Sequence, residues 1–466
     1  MALRVAPRAR VPRAWVPRAW VPRAWVPRAP VPRAPVPRAP VPRARVQGAR
    51  ARGARVRWAG LVVGLALVAA ACGSGGQPAG AAIVPPASSA TVPYRGPAAA
   101  PAGDAFYVPP QPLPAGRPGD ILWSRQVPAS GMLAGLGVEV DQVLYLSTDA
   151  QGRPDAVSGT VVLPPAAART AAPLVGFASG TEGLGDACAP SKTIAAGTFD
   201  WTDHIVAAVN HGWAVAVSDY QGLGTPGDHT YSVGRSEGHA VLDAVRAAQR
   251  LPGAGLRADA KVAFWGYSQG GGASAWAGEL APAYAPELRT VGVAAGGVPA
   301  NLTKVSEAVD GMPWSGVQLM SAIGFAAAYP ELKVDDAVQP AFRSAVQGLR
   351  TECIKEALPA FAGKHVGDIL TTDLLHQPAW QARLTQNSLG ANPPKVPIML
   401  YHGTADTVVA FGQAEDLARR YCAAGVDVTW RAYAGQDHGD AWNHIDEVTS
   451  YLAARFAGTP VTPSCP

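Results

Sequence analysis

One stretch restricts the architecture more than any other. Val262-Ala263-Phe264-Trp265 is a short apolar run, Gly266-Tyr267-Ser268-Gln269-Gly270 follows it without a break, and Ala273–Leu280 reads as a helix. A strand that turns into a helix within five residues forces its central residue into a strained backbone conformation. The positions flanking that residue must be small, because strand and helix backbones approach closely there. Ser268 is thereby projected above a sheet at a helix N-terminus, and the Gln269 N–H points to where an oxyanion would form. Gly-x-Ser-x-Gly alone is a common pattern. The preceding strand and the following helix give it meaning here.

The rest of the chain supplies a sheet for that turn to sit on. Val143–Leu146 and Val157–Leu163 suggest an opening antiparallel pair around the turn at 151–154. The runs 173–178, 214–217, 262–265, 291–295 and 398–401 have the length and composition of buried parallel strands. Helical patterns lie between them at 203–210, 236–250, 269–280 and 412–424, and a last strand at 427–433 precedes a helix near 442–455. Such alternation predicts an α/β fold with a mostly parallel sheet. Residues 301–390 break the alternation. They are alanine-rich and helical, with no clear strand, and read as a cap inserted over the end of the sheet where ligands bind.

A serine nucleophile needs a base, and the base needs an orienting acid. Downstream of Ser268, the strand ending at Tyr401 runs into His402-Gly403-Thr404-Ala405-Asp406, and the strand ending at Tyr433 leads to Gly435-Gln436-Asp437-His438-Gly439. Asp406 and His438 therefore stand where the acid and the base are expected in the chain order Ser, Asp, His. Asp437 and Asp440 compete with Asp406, and His444 is the rival base. His402 either orients the acid loop or packs. His204, His211, His229, His239, His365 and His376 belong to no evident constellation. No spacing resembles a zinc site, a calcium loop, a phosphate loop or a dinucleotide fingerprint, so no cofactor and no metal is expected. For a second oxyanion donor two loops compete, Ser179-Gly180-Thr181 and Ser218-Asp219-Tyr220-Gln221-Gly222.

Charge is distributed unevenly. The chain of 466 residues carries a net +5, yet 15 of its 39 basic residues and none of its 34 acidic ones precede Cys72. The remainder holds 24 basic against 34 acidic residues, a balance of −10, which removes the basic surplus that nucleic-acid binding requires. Residues 11–45 repeat Val-Pro-Arg-Ala-x, whose regular prolines block helix and sheet interior alike. They read as sequence upstream of the true start, with initiation near Val46 or Val56. Arginines 55 and 57 followed by the apolar run 59–71 read as a signal peptide, since the run is shorter than the ~20 residues of a spanning helix. Cys72 follows at once, and with the Gly-Ser-Gly-Gly after it resembles a lipobox whose cysteine is acylated. The usual leucine three residues earlier is replaced by Ala69. The reading is thus a leader and signal peptide over 1–71, the lipobox cysteine and a flexible tether over 72–104, and a globular domain over 105–466 with its cap at about 301–390. Four cysteines remain, Cys188, Cys353, Cys422 and Cys465, which suggests two disulfides with three possible connectivities. Cys465 could staple the C-terminal tail to the helix carrying Cys422, and Cys188 would then tie a loop to Cys353.

Taken together, several stretches resemble the secretory lipase family of the α/β-hydrolases, which includes fungal lipases of the lipase A type and actinobacterial exported esterases. They are Phe106-Tyr107, Ser158-Gly159-Thr160-Val161, Gly180-Thr181, Cys188-Ala189-Pro190-Ser191, Ser218-Asp219-Tyr220, Gly222-Leu223-Gly224, the Ser268 turn, Gly403-Thr404-Ala405-Asp406 and Asp437-His438. The resemblance implies the α/β-hydrolase fold and a helical cap. It also implies an oxyanion hole formed by Asp219 together with Gln269, and a disulfide from Cys188 to the cap. It departs from the family at Ser179-Gly180-Thr181, where His-Gly-Thr is expected, and that departure turns the expectation toward Asp219. The function expected is that of an exported, lipid-anchored serine ester hydrolase acting on lipids or medium-chain esters through Ser268, His438 and Asp406. An acyltransferase or peptidase on the same three residues, or a non-catalytic lipoprotein, are the alternatives. Oligomeric state is left open.

Overall fold

The computed structural model describes residues 92–466. The stretches expected to be leader and signal peptide, and Cys72, lie outside them. Nine strands form one sheet: β1 (Ile121–Val127), β2 (Glu139–Thr148), β3 (Pro154–Leu163), β4 (Leu174–Ala178), β5 (Ala214–Ser218), β6 (Lys261–Tyr267), β7 (Arg289–Gly296), β8 (Ile398–Gly403) and β9 (Val428–Tyr433). Their spatial order is β1-β2-β3-β5-β4-β6-β7-β8-β9. Pairings from β1 to β5 along this order are antiparallel, and those from β5 through β4 to β9 are parallel. This is the α/β-hydrolase fold. β1 has no counterpart among the strands expected from sequence. Its Ser-Arg-Gln centre interrupts the apolar signal, as suits an edge strand with one wet face.

Central strands such as β4 and β5 are buried at every position, which is why they read as unbroken apolar runs. One face is covered by the helices Gly234–Arg250, Gln269–Tyr284 and Phe411–Ala423, through Ala244, Ala277 and Leu417. The other is covered by Pro190–Ala196, Thr202–Asn210 and Ile445–Ala457, through Ile194, Ile205 and Leu452. Between β7 and β8 the chain contains helices only, from Leu302 to Gln386. They enclose a core of their own around Met320, Ile323, Leu349 and Phe361, which also takes in Leu184 and Tyr231 from the sheet's loops.

The folded body starts earlier than expected. Residues 92–104 were assigned to a tether, but Ala115 N–H donates to Val92 O at 2.7 Å and Tyr94 Oη to Ile121 O at 2.8 Å. Ala98 N–H reaches Leu122 O at 2.8 Å. The segment is held along β1 by these hydrogen bonds although most of its residues stay exposed. Both disulfides join distant segments. Cys188–Cys353 fastens the loop after β4 to the cap, and Cys422–Cys465 fastens the C-terminal tail. Around the first, Leu184 N–H donates to Glu352 O at 3.2 Å; around the second, Ser464 exchanges backbone hydrogen bonds with Val428 and Trp430.

Candidate active site

β6 delivers Ser268 to the C-terminal edge of the sheet. Ser268 has φ 59° and ψ −122°, a conformation that a residue with a side chain holds only under constraint from its surroundings. A Cβ at Gly266 would strike the Gly270 carbonyl, and one at Gly270 would strike that of Ala178. Larger residues at either position would push strand and helix apart. Ser268 N–H donates to Gly296 O at 2.9 Å, and Gln269 opens the helix that follows.

Three residues separated by 170 positions meet here. Ser268 Oγ lies 2.9 Å from His438 Nε2, and His438 Nδ1 lies 2.6 Å from Asp406 Oδ2. The Asp406 side chain is wholly enclosed. Its Oδ1 accepts the N–H groups of Val408 and Val409, each at 2.8 Å. Its Oδ2 is shared between His438 and His402, whose Nε2 is 3.0 Å away. Burial pushes this carboxyl upward, but the hydrogen bonds from His402 and His438 outweigh it and hold the group well below the usual carboxylate range. His402 is itself buried. Its Nε2 also lies 2.7 Å from Val409 O, and its Nδ1 has no partner among the described residues. A proton on Nε2 satisfies both facts, so His402 orients the acid loop as a donor.

The rival groups are occupied elsewhere. Asp437 caps the short helix His438–Ala441, accepting from Asp440 N–H at 2.8 Å, while the Asp440 side chain answers the Asp437 N–H. His444 stacks on Tyr433 and bonds Gln436 Oε1 at 2.8 Å. Tyr267 was not singled out from sequence, yet its Oη donates to His438 O at 2.8 Å and steadies the histidine loop.

Asp219 does not fit the oxyanion role expected of it. Its N–H donates to Ser158 O at 2.9 Å, and the residue is fully buried. Its carboxylate accepts from Ser158 Oγ at 2.6 Å, from Ser191 N–H at 2.7 Å and from Ser191 Oγ. Gln142 Nε2 in turn reaches Tyr107 Oη at 3.1 Å and Ser191 O at 2.8 Å. Four of the stretches that carried the resemblance thus meet in one buried network that stabilises the scaffold. The competing loop lies nearer the chemistry: Thr181 lines a cavity together with Ser268 and Gln269.

That cavity has a volume of about 640 Å³. Its far walls are cap residues, among them Leu319, Ala322, Phe325, Leu370 and Trp380. A largely apolar cavity opening on a serine within reach of a histidine can bind an acyl chain and present its carbonyl for attack. Among the described residues no group of three His, Cys, Asp or Glu side chains is arranged to hold a metal ion.

Fold and site together define a carboxylic-ester hydrolase of the α/β-hydrolase class. A sequence model of the secretory lipase family matches residues 189–463, and the chain belongs to that family. Lipase 6 of Candida albicans is 31% identical over 396 residues, covering 78% of this chain and 83% of the relative. A Mycobacterium tuberculosis protein that bears the name probable inactive lipase is 29% identical over 377 residues, covering 78% of this chain and 84% of its own length. The crystal structure of Candida antarctica lipase A in its closed state superposes with a TM-score of 0.70 at 25% identity, covering 77% of this chain and 87% of that one.

Proposed function

We propose that Ser268 is the nucleophile, His438 the general base and acid, and Asp406 the orienting acid of an exported lipase or carboxylesterase. His438 Nε2 takes the Ser268 Oγ proton as the oxygen attacks the ester carbonyl. Collapse of the tetrahedral intermediate expels the alcohol, which receives that proton, and leaves an acyl-enzyme. Water then repeats the sequence and releases the carboxylic acid. Asp406 fixes the Nδ1–H tautomer and stabilises the imidazolium. The Gln269 N–H is one oxyanion donor, and the 179–181 loop, through Thr181, supplies the second in place of Asp219.

The observation that carries this reading is the unbroken line Ser268–His438–Asp406 at the mouth of an apolar cavity. It matters because a relative 29% identical to this chain bears the name probable inactive lipase, so likeness of sequence does not by itself carry activity. The cavity favours acyl chains, so lipid and medium-chain esters are the substrate class. Two disulfides fit an oxidising compartment, and acylation of Cys72 would hold the enzyme at the membrane. Labelling by a fluorophosphonate probe tests the chemistry. Wild type should label and Ser268→Ala should not; equal labelling of both would reject the reading. Hydrolysis of p-nitrophenyl esters of increasing chain length, against peptide anilides, separates an esterase from a peptidase. Mass analysis of the N-terminus tests the anchor.

A further inference from the structure

Gln269 carries more than a backbone donor. Its side-chain amide is held at two points: Nε2 lies 2.8 Å from Glu237 Oε1 and 3.1 Å from His229 Nε2. His229 is wholly buried, burial holds its pKa down to about 4, and its Nδ1 is 2.9 Å from Gln221 O. It is therefore neutral, with its proton on Nδ1 and Nε2 free to accept. The two amide hydrogens of Gln269 are thus taken by two acceptors from two segments, the loop before the helix Gly234–Arg250 and that helix's first turn. Glu237 Oε1 accepts a second donor, Ser232 N–H at 2.8 Å. Ser232 is a non-glycine residue at φ 63°, and its hydroxyl accepts from Ser321 Oγ, 3.1 Å away on the cap helix Gly316–Ala328. On the other side, Tyr220 stacks on His229 and donates through Oη to Ser179 O at 2.9 Å.

A fully buried carboxylate is an unfavourable way to fill space. Glu237 is only 2% exposed, does not line the cavity, and holds two donors that both border it. The strain at Ser268 could relax by rotation of the Ser268–Gln269 peptide, the group that bears the proposed oxyanion donor. A strained conformation persists only where its surroundings over-determine it.

We propose that Glu237 is a positioning residue. With His229 it locks the Gln269 side chain, keeps the Gln269 N–H aimed at the oxyanion site, and ties that aim to the cap through Ser232 and Ser321. The proposal rests on Ser268 being the nucleophile. Glu237 does not line the cavity, and the Gln269 Nε2 is held by acceptors inside the protein, so the role proposed for both is indirect. Their effect falls on the transition state, because misplacing a donor by ~1 Å can cost roughly 100-fold in rate.

The test compares Gln269→Ala, Glu237→Ala, Glu237→Gln and the double alanine variant in the full-length protein. Readouts are kcat and KM on p-nitrophenyl butyrate, the rate of fluorophosphonate labelling, and thermal unfolding. Gln269→Ala and Glu237→Ala should each lower kcat by roughly 10- to 100-fold, with KM changed less than about twofold if ground-state binding is untouched. The double variant should be no worse than the poorer single one, because both break one unit. Glu237→Gln keeps an acceptor oxygen and should recover most of the rate. Wild-type kcat in folded Gln269→Ala, or multiplicative losses in the double variant, would overturn the proposal. Should Glu237→Ala fail to fold, Gln269→Ala decides alone. If wild type itself shows no Ser268-dependent labelling, the nucleophile assignment fails first, and this proposal with it.

Discussion

Replacing Asp219 by alanine separates two roles that sequence alone could not distinguish. The carboxylate accepts from Ser158 Oγ, Ser191 N–H and Ser191 Oγ inside the protein. Ser191 N–H belongs to the first turn of the helix Pro190–Ala196, so the aspartate also caps that helix from a distance. Each buried donor left without a partner costs about 1–3 kcal/mol. The hydroxyls can turn to other acceptors, Ser191 Oγ to Tyr107 Oη at 3.1 Å for example, but the backbone N–H cannot. Against this loss stands a gain. Burial lifts the carboxyl to about 6, so ionising it within the fold costs about 3 kcal/mol at neutral pH, and alanine removes that cost. Three donors at about 1–3 kcal/mol each, less that gain, leave a net destabilisation at pH 7 of about 0–6 kcal/mol, centred on about 3. Urea unfolding followed by tryptophan fluorescence measures it, with kcat determined on the folded fraction. A structural Asp219 predicts lower stability and kcat within about threefold of wild type. An oxyanion role would rest on the backbone N–H, which alanine keeps, and predicts instead unchanged stability together with unchanged kcat. That second result would refute the assignment made from the hydrogen bonds.

Further expectations concern pH, cross-links and the cavity. Burial raises Asp141, Asp155, Asp219 and Asp243 to about 6, Glu237 to about 7 and Glu182 to about 8. Between about pH 4 and 8 the folded chain therefore binds more protons at these groups than the unfolded chain, and their contribution to stability falls as pH rises. His229 and His239, both held near 4 by burial, oppose this only below about 6.5. Melting temperature should accordingly be higher near pH 5 than at pH 8, and a steady rise from 5 to 8 would contradict the buried network. Cys422→Ser opens a loop of 43 residues and should cost about 2–4 kcal/mol in urea unfolding while sparing kcat. Ala322→Trp narrows the cavity from the cap side. Its ratio of kcat/KM for long over short p-nitrophenyl esters should fall roughly tenfold or more, and an unchanged ratio would place the acyl chain elsewhere.

What could be read from the residues was what is encoded locally. The Ser268 turn is set largely by neighbours in sequence: Gly266 must be small because it meets the backbone of Gly270 in the next helix, whereas Gly270 must be small because it meets Ala178 at the end of β4. The parallel strands announced themselves because both their faces are buried, which leaves no polar position to interrupt the run. Asp406 and His438 were legible because the topology places each on the loop after a late strand. Tertiary structure decided the rest, since the deciding partners come from remote segments. Nothing around Asp219 in sequence says that Ser158 and Ser191 will close over it, and a Ser-Asp-Tyr after a strand suits an oxyanion loop equally well. The low charge of residues 92–104 fits a tether as readily as a segment laid against β1. Nothing in the sequence marks Glu237, in the first turn of its helix, as the buried partner of Gln269. A side chain's type and spacing limit the chemistry open to it, whereas its role depends on which donor it meets after the chain has closed.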